Sequence, residues 1–360
     1  MKKKTAVLVA LVAALGVIAL LVSKIHGQHS TFKQDFHVQA AAMPGMVTKV
    51  FMADKENHSL LLETADGVEW TVDGQYKADR HMVKLLMETL SRMRVRSKVN
   101  NAAVGNVTTI MAGKSTKVEV YYKDYRIDWF KGRFKLFPHQ RCKVFYVGYD
   151  TQDNLATYMY REGDDVPCIV YIPGFRGCLS PRFVVDQYAW RSHSIVDISG
   201  RNIALVEMEI PSMPEESFSL VREGDGFVFN LLHPMHRVDG FDSARVGQLL
   251  SSFTHLNFDE YARAVPQAEL DSSFSGTPRT ILRVADVNGN SRELKTFIKY
   301  VNPEDALAMP DTTMYQVFDL NRLYAVIDNT DTVLIQYYVF DNILQPASFF
   351  LGKDKSNFAR

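Results

Sequence analysis

The sequence predicts an α+β fold: an N-terminal transmembrane helix, then two tandem similar modules, each mainly antiparallel sheet with one amphipathic helix. Three observations carry this expectation. An unbroken apolar run lies near the N-terminus, short alternating apolar segments separated by turn residues fill most of the rest, and one strand–strand–strand–helix pattern occurs twice.

Lys2, Lys3 and Lys4 precede Ala6–Val22, which holds no charge, Pro or strongly polar residue. In lipid such a run can satisfy its backbone only as a helix, and its length sits at the short end of the roughly 17–25 residues a spanning helix needs. A cleaved signal peptide has a shorter apolar stretch closed by small residues. Ser23-Lys24-Ile25-His26-Gly27 offers no such site, which argues for an uncleaved anchor, and the first cysteine, Cys142, lies too far away for a lipoprotein. The three leading lysines outweigh Lys24, so the N-terminus is expected in the cytoplasm. The expected location is therefore the inner, cytoplasmic membrane, crossed once, with most of the chain on the periplasmic side. The organisation that follows is a cytoplasmic stub (1–5), an anchor (6–23), a tether (24–46), a first module (47–174), an inter-module segment (175–200), a second module (201–351) and a tail (352–360).

In the first module Lys49–Met52 and Leu60–Leu62 read as strands around the turn Asp54–His58, and Asp66-Gly67 is a hairpin signal before Trp70-Thr71-Val72. Asp79 has the character of a helix N-cap. Behind it Val83, Leu86, Met87, Leu90 and Met93 make one apolar stripe at helical spacing. The same order returns as Leu205–Met208, Ser217–Val221, the turn Gly224-Asp225-Gly226, Phe227–Phe229 and a second cap, Asp242. One offset, 242 − 79 = 163, carries Val83 onto Val246, Leu86 onto Leu249, Met87 onto Leu250, Leu90 onto Phe253, Met93 onto Leu256 and Val95 onto Phe258. Any two amphipathic helices share a period, but a shared cap, helix length and flanking strands indicate duplication. Downstream, Lys117–Tyr122 and Tyr125–Phe130 read as a hairpin matching Thr280–Ala285 and Arg292–Ile298 around the tight-turn pair Asn288-Gly289. Val144–Val147 is matched with Leu323–Val326, and Thr157–Tyr160 with Val333–Tyr337.

Lys plus Arg equals Asp plus Glu, 41 against 41. That balance argues against a nucleic-acid partner, which demands a basic excess to neutralise phosphates. Three cysteines cannot form a complete disulfide framework. Pro173-Gly174 could reverse the chain between Cys168 and Cys178, so a bridge there and three isolated thiols both stay open.

The runs Phe51–Asp54, Tyr146–Gly148 with Thr151–Asn154, Ile172–Gly177 and Leu334–Asp341, with the Trp70 strand, resemble the uncharacterised Bacteroidota envelope group catalogued as domain of unknown function 4340. The resemblance spans Val47 to Leu351. It implies an inner-membrane-anchored protein without assigned activity, related to proteins found beside transporter and gliding-type components, and it supplies no catalytic residues.

Each chemical motif has a plainer structural explanation. Gly113-Lys114-Ser115-Thr116 lacks the glycine five residues ahead that a phosphate-binding loop needs; the position is Thr108. His233-Pro234-Met235-His236, with Asp239 and Asp242, holds metal-type donors, but Asp242 is already a cap and a zinc site needs three or four fixed ligands. Ser192-His193-Ser194 with Asp197 has triad residue types, yet neighbours on a strand point to opposite faces. Arg92, Arg94, Arg96 and Lys98 alternate with Met93, Val95, Ser97 and Val99, as on a charged edge strand or a strip for an anionic ligand. The inter-module segment carries Phe175, Arg176, Arg182, Phe183, Tyr188, Trp190 and Arg191, the residue types that dominate binding hot spots.

The expectation is a non-enzymatic membrane-anchored scaffold or accessory subunit of a transport or assembly complex, with no cofactor and no metal, bound to an envelope protein through that segment. The alternatives are a module binding an anionic glycan or lipid between the two modules, and an envelope hydrolase.

Overall fold

The computed structural model describes residues 36–129, 134–300 and 318–352; the expected anchor Ala6–Val22 lies outside them. Among the described residues no helix is long and apolar enough to cross a membrane. The chain divides into two compact units between Ser192 and His193.

Unit 1 contains β1 (Val47–Ala53), β2 (Ser59–Glu63), β3 (Thr71–Val72), β4 (Tyr76–Lys77), α1 (Arg80–Arg92), β5 (Arg94–Lys98), α2 (Asn101–Lys114), β6 (Thr116–Trp129), β7 (Phe134–Asp150), β8 (Thr157–Arg161) and β9 (Cys168–Tyr171). Its strands form one antiparallel sheet in the order β4-β3-β2-β1-β6-β7-β8-β9-β5. The inner face buries Val50, Met52, Val118, Val120 and Phe145 against Val83, Leu86 and Leu90 of α1. Asp79 starts that helix by accepting from the Met82 amide at 2.8 Å. The outer face carries α2, of which only Val107 and Met111 are buried, against Tyr146, Tyr149, Tyr158 and Tyr160. Gly148 in β7 makes room for α2: a Cβ there would lie 2.8 Å from the Met111 side chain and 2.9 Å from the Tyr158 carbonyl.

Unit 2 contains β10 (Ser194–Val196), β11 (Ile203–Glu209), β12 (Phe218–Glu223), β13 (Gly226–Leu232), β14 (Met235–Val238), α3 (Ser243–Ser252), β15 (Leu256–Asn257), β16 (Glu260–Tyr261), α4 (Gln267–Phe274), β17 (Thr280–Asp286), β18 (Ser291–Tyr300), β19 (Phe318–Ile327) and β20 (Asp331–Gln336). Its large sheet runs β14-β13-β12-β11-β17-β18-β19-β20-β16, the strand order of unit 1 position for position. β10 and β15 pair separately.

Register makes the duplication concrete. Val50 pairs with Leu62 and Val120, and Val206 pairs with Leu220 and Val284. The pairing shifts between Val47 and Lys49 in β1 and, 156 residues on (203 − 47), between Ile203 and Leu205 in β11. Bulges bend a strand locally, so a bulge retained at the same place in two register-matched strands is a strong mark of common construction.

The ends of the units also correspond, which the sequence reading missed. After β9 come the short helical turns Ser180–Phe183 and Gln187–Trp190; after β20 come Tyr337–Phe340 and Ala347–Phe350. The Asp79 amide donates to the Trp190 carbonyl at 2.7 Å, and the Asp242 amide donates to the Phe350 carbonyl at 2.8 Å. The beginnings match too: Val38 donates to Leu90, and Ile198 to Phe253. The segment 175–200 is therefore not an inter-module piece. Residues 175–192 close unit 1, and 193–200 open unit 2. Nor is 24–46 a tether throughout, because Phe36, Val38 and Ala40 are buried in the core of unit 1.

Three further expectations are corrected. Lys117–Tyr122 and Tyr125–Phe130 are not a hairpin: Thr116–Trp129 is one strand, paired with Phe134–Asp150. Lys123-Asp124 looked like a turn, but polar residues sit comfortably on a strand whose faces are half exposed. That error displaced the later matches by one strand, since β7 corresponds to β18, β8 to β19 and β9 to β20. Each sheet also carries two helices of two turns or more, not one. α2 and α4 escaped notice because a helix that buries few side chains needs no continuous apolar stripe.

Candidate docking surface

The residues expected to meet a partner separate into two groups. Phe183 and Trp190 are 1 % and 0 % exposed, and Arg191 only 5 %. Phe183 meets Phe145 edge-on at 5.9 Å, the Trp190 indole donates to the Val184 carbonyl at 2.8 Å, and the Arg191 guanidinium lies 3.6 Å from the centre of the Tyr76 ring. These three are fastenings of unit 1, and a partner could reach them only by unfolding it. Phe175 and Arg176 are exposed, while Arg182 and Tyr188 are half-buried. The Arg182 guanidinium stacks 4.3 Å from the Phe175 ring and donates to Thr89 Oγ1 at 2.9 Å. Burial depresses its pKa, as expected where a cation leaves water.

The other motifs also find places. Gly113-Lys114 ends α2 instead of opening a helix, so no helical amides are offered to a phosphate. His233-Pro234 is the turn between β13 and β14, and Asp242 caps α3 by accepting from Ala244 and Arg245. No group of three or more His, Cys, Asp or Glu among the described residues is placed to hold a metal. Asp197 pairs with His255 at 2.9 Å, while His193 stacks on Phe258 at 4.6 Å, so the triad residue types do not converge. Arg94, Arg96 and Lys98 do alternate outward on β5, at the sheet edge; Arg92 ends α1. Arg96 lies over Tyr171 and 3.8 Å from Asp153. Cys168 and Cys178 are not bridged; burial pushes the Cys168 thiol up to about 11.

A further concave surface lies elsewhere on unit 1. An apolar groove of about 700 Å³ runs between residues 41–47 and α1. Val47, Trp70, Ala78 and Val83 form its floor, and Met87 its side. Arg80, Lys84 and Glu88 stand exposed along the α1 rim. Met43 and Val68 remain 40 % and 68 % exposed at its mouth.

The far wall is built by hydrogen bonds. Thr64 Oγ1 donates to the Glu69 carbonyl at 2.6 Å and accepts from the Gly67 amide at 2.9 Å. Asp66 Oδ1 accepts from the amides of Val68 and Glu69, and those amides hold its pKa below the usual carboxylate range. Glu69 is paired with Arg80 and Lys77, and the Arg80 bond depresses its pKa. Gly67 and Gly45 press backbone to backbone, for a Cβ at Gly67 would come within 2.3 Å of the Gly45 Cα. Both have positive φ, +80° and +72°, which glycine adopts without steric cost. Sequence signals marked Asp66-Gly67 as a turn, but nothing local shows that it meets Gly45.

Unit 2 treats the same place differently. By strand register Arg222 of β12 stands where unit 1 has Thr64. Its guanidinium donates to the carbonyls of Ile203 and Gly200 at 2.6 and 2.7 Å and lies over the Phe227 ring. A Cβ at Gly200 would sit 3.5 Å from Leu250, so that turn rests directly on α3. Here the arginine stem and ring fill the gap between β12 and the strand-entry turn.

The groove floor has no titratable or nucleophilic side chain. It is suited to taking in apolar side chains. No family model, curated protein or solved structure matches this chain, and the resemblance to the envelope group rests on the quoted residues alone.

Proposed function

We propose that this protein is a non-enzymatic, membrane-anchored accessory subunit or scaffold of the cell envelope, which grips an apolar segment of a protein partner in the groove of unit 1. The observation that carries this reading is the contrast between the copies: in unit 2 the Gly200 turn rests on Leu250 of α3, whereas in unit 1 an open apolar groove separates residues 41–47 from α1. Its volume is within the roughly 300–1,000 Å³ of ordinary ligand pockets, enough for a few side chains of an inserted strand or helix. The charged rim would orient the partner while the floor supplies binding energy by burial. The apolar run Ala6–Val22 supports placement at the inner membrane with both units outside the cytoplasm.

The test is site-specific photocrosslinking in cells from a benzophenone amino acid at Val68 or, separately, at Lys55 on a remote exposed loop. Val68 should give a discrete adduct that Lys55 does not, and Met87→Glu should abolish it. An adduct equal at both positions, or unaffected by Met87→Glu, would overturn the assignment.

A further inference from the structure

α4 does not run straight into the strand that follows it. It ends at Phe274, β17 begins at Thr280, and residues 275–279 form a loop between them. In unit 1 the matching helix α2 passes into β6 through Ser115 alone. The loop walls a cavity of about 410 Å³, bounded elsewhere by the end of α4, by Pro211-Ser212 after β11 and by the last residues of β18. That volume lies within the roughly 300–1,000 Å³ of ordinary ligand pockets.

The lining is rich in hydroxyls and has no carboxylate. Ser273 is only 8 % exposed, and among the described residues its hydroxyl has no hydrogen-bond partner. A helical serine can return its hydroxyl to a carbonyl one turn back, as Ser252 does to Gln248 at 2.9 Å. Ser273 does not. Nor is its hydroxyl sealed in, as Ser348 Oγ is, and Ser273 lines the cavity. Buried polar side chains nearly always have a partner, so a fixed, unpaired hydroxyl beside a cavity is a place for a group that a ligand supplies. Exposed Ser212, Ser272 and Thr277 add hydroxyls that no described residue engages.

Another part of the lining is aromatic. Phe297 and Tyr300 stand three positions apart on β18, an odd spacing that sends side chains to opposite faces of a regular strand. The pairing with β19 shifts between Ile298 and Tyr300, as at a bulge that re-aims a side chain, and both residues line the cavity. Phe297 is held edge-on by Phe274 at 4.7 Å, and Tyr300 is 47 % exposed. Arg279 lines the cavity too, and its guanidinium donates to Tyr337 Oη at 3.2 Å.

A hydroxyl both donates and accepts hydrogen bonds, so it suits a partner that does both. A sugar ring is such a partner: it carries hydroxyls around its edge and C–H groups on the faces that meet an aromatic wall. A purely apolar ligand would leave Ser273 unpaired. We propose that this cavity is a saccharide site, in which Ser273 and the neighbouring hydroxyls bind the edge of the ring while Phe297 and Tyr300 meet its C–H face. The site belongs to unit 2 and rests neither on the groove of unit 1 nor on the anchored reading.

The test uses full-length protein in a detergent without a sugar headgroup. The methyl glycosides of glucose, galactose, N-acetylglucosamine and glucuronic acid are added singly, and saturation-transfer NMR reads which of them binds. At least one should. Ser273→Ala should weaken it several-fold, the loss of one hydrogen bond, with Tm no lower, because the hydroxyl holds nothing inside the protein. Gly276→Trp is the second variant. A Cβ there meets nothing within 4 Å and the backbone is not left-handed, so the substitution narrows the cavity without moving the chain, and binding should again fall.

Transfer to no glycoside, or transfer undiminished in both variants, would overturn the proposal. So would a lower Tm in Ser273→Ala, which would show the hydroxyl already bonded within the fold. Binding of a random hexapeptide mixture that Gly276→Trp abolishes, with no glycoside bound, would assign the cavity to a peptide and overturn it as well.

Discussion

The two units are copies that have parted company at their surfaces while keeping their frames. Strand order, the bulge in the first strand, the capped helix, and the amide of the capping aspartate bound to a terminal aromatic are shared. The differences lie where the frame does not need the residue. In unit 1 a groove separates residues 41–47 from α1 and β6 pairs with β7 past Tyr122 as far as Trp129 and Phe134; in unit 2 the Gly200 turn rests on α3 and β17 and β18 end in a short turn. The charged faces diverge as well. On the outer sheet surface of unit 2 Arg283 joins Glu207, Glu209 and Glu293, and those carboxylates push its pKa up. At the matching strand position unit 1 has the opposite charge, Glu119, paired with Lys117 and bonded by Tyr121. Partially exposed ion pairs contribute little to stability, so these faces could change sign without threatening the fold. In a duplicated protein such freedom lets one copy specialise.

The comparison can be broken most forcefully at the closing aromatics. Trp190→Ala and Phe350→Ala should each cost about 3–5 kcal/mol, the range for emptying a large buried aromatic site. Site-resolved hydrogen exchange should show the loss chiefly in the unit that carries the substitution. Equal loss in both units from either change would mean the two copies do not fold as separate blocks.

Arg222→Ala comes next. Removing two charge-assisted bonds to carbonyls should cost unit 2 about 1–3 kcal/mol in denaturant unfolding. An unchanged midpoint would show that the arginine is not what closes the gap.

The two caps should behave alike. Asp79→Ala and Asp242→Ala are expected to lower stability by about 1 kcal/mol each, and a cap that proved silent would mark the copy in which terminal packing alone holds the helix.

The smallest effect is chemical. All three cysteines, Cys142, Cys168 and Cys178, lie in unit 1. Under mildly alkaline alkylation Cys142, exposed, should react first, and Cys168, buried, should stay protected until unit 1 opens. The sign follows from the raised thiol pKa. The folded state keeps the proton longer than the unfolded chain, so this contribution to stability is complete below the unfolded thiol pKa of about 8.5. It declines as pH rises from there towards about 11. Protection of Cys168 should fall across that window. Mass-spectrometric detection of a Cys168–Cys178 link would contradict their unbridged state in the structure.

Much of the frame was legible in the chain because local rules and burial agree there. Asp79 with Val83, Leu86 and Leu90 is a cap followed by a buried stripe, and the structure uses all four as such. Asn288-Gly289 does lie in the turn between β17 and β18, with Gly289 at φ +85°, though Asn288 is not at positive φ and the turn is longer than a two-residue one. The failures have a common cause. Lys123-Asp124 reads as a turn only if nothing pairs with it, and β7, many residues later, does. Phe183, Trp190 and Arg191 have the composition of a binding patch, but the same residues make a core fastening, and only their neighbours decide which.

By itself the sequence determined the α+β class, the apolar N-terminal run, and the duplication of cap, helix and leading strands. Each depends on residues within a few positions of one another, where period and side-chain type suffice. Tertiary structure decided where each unit begins and ends, that β6 is a single long strand, and that the strand-entry turn rests on the helix in one copy and stands off it in the other. Those outcomes rest on contacts such as Gly45 against Gly67, Arg222 against Gly200 and Asp79 against Trp190. The contacting residues are far apart along the chain, and their pairing follows from the packing of the whole unit.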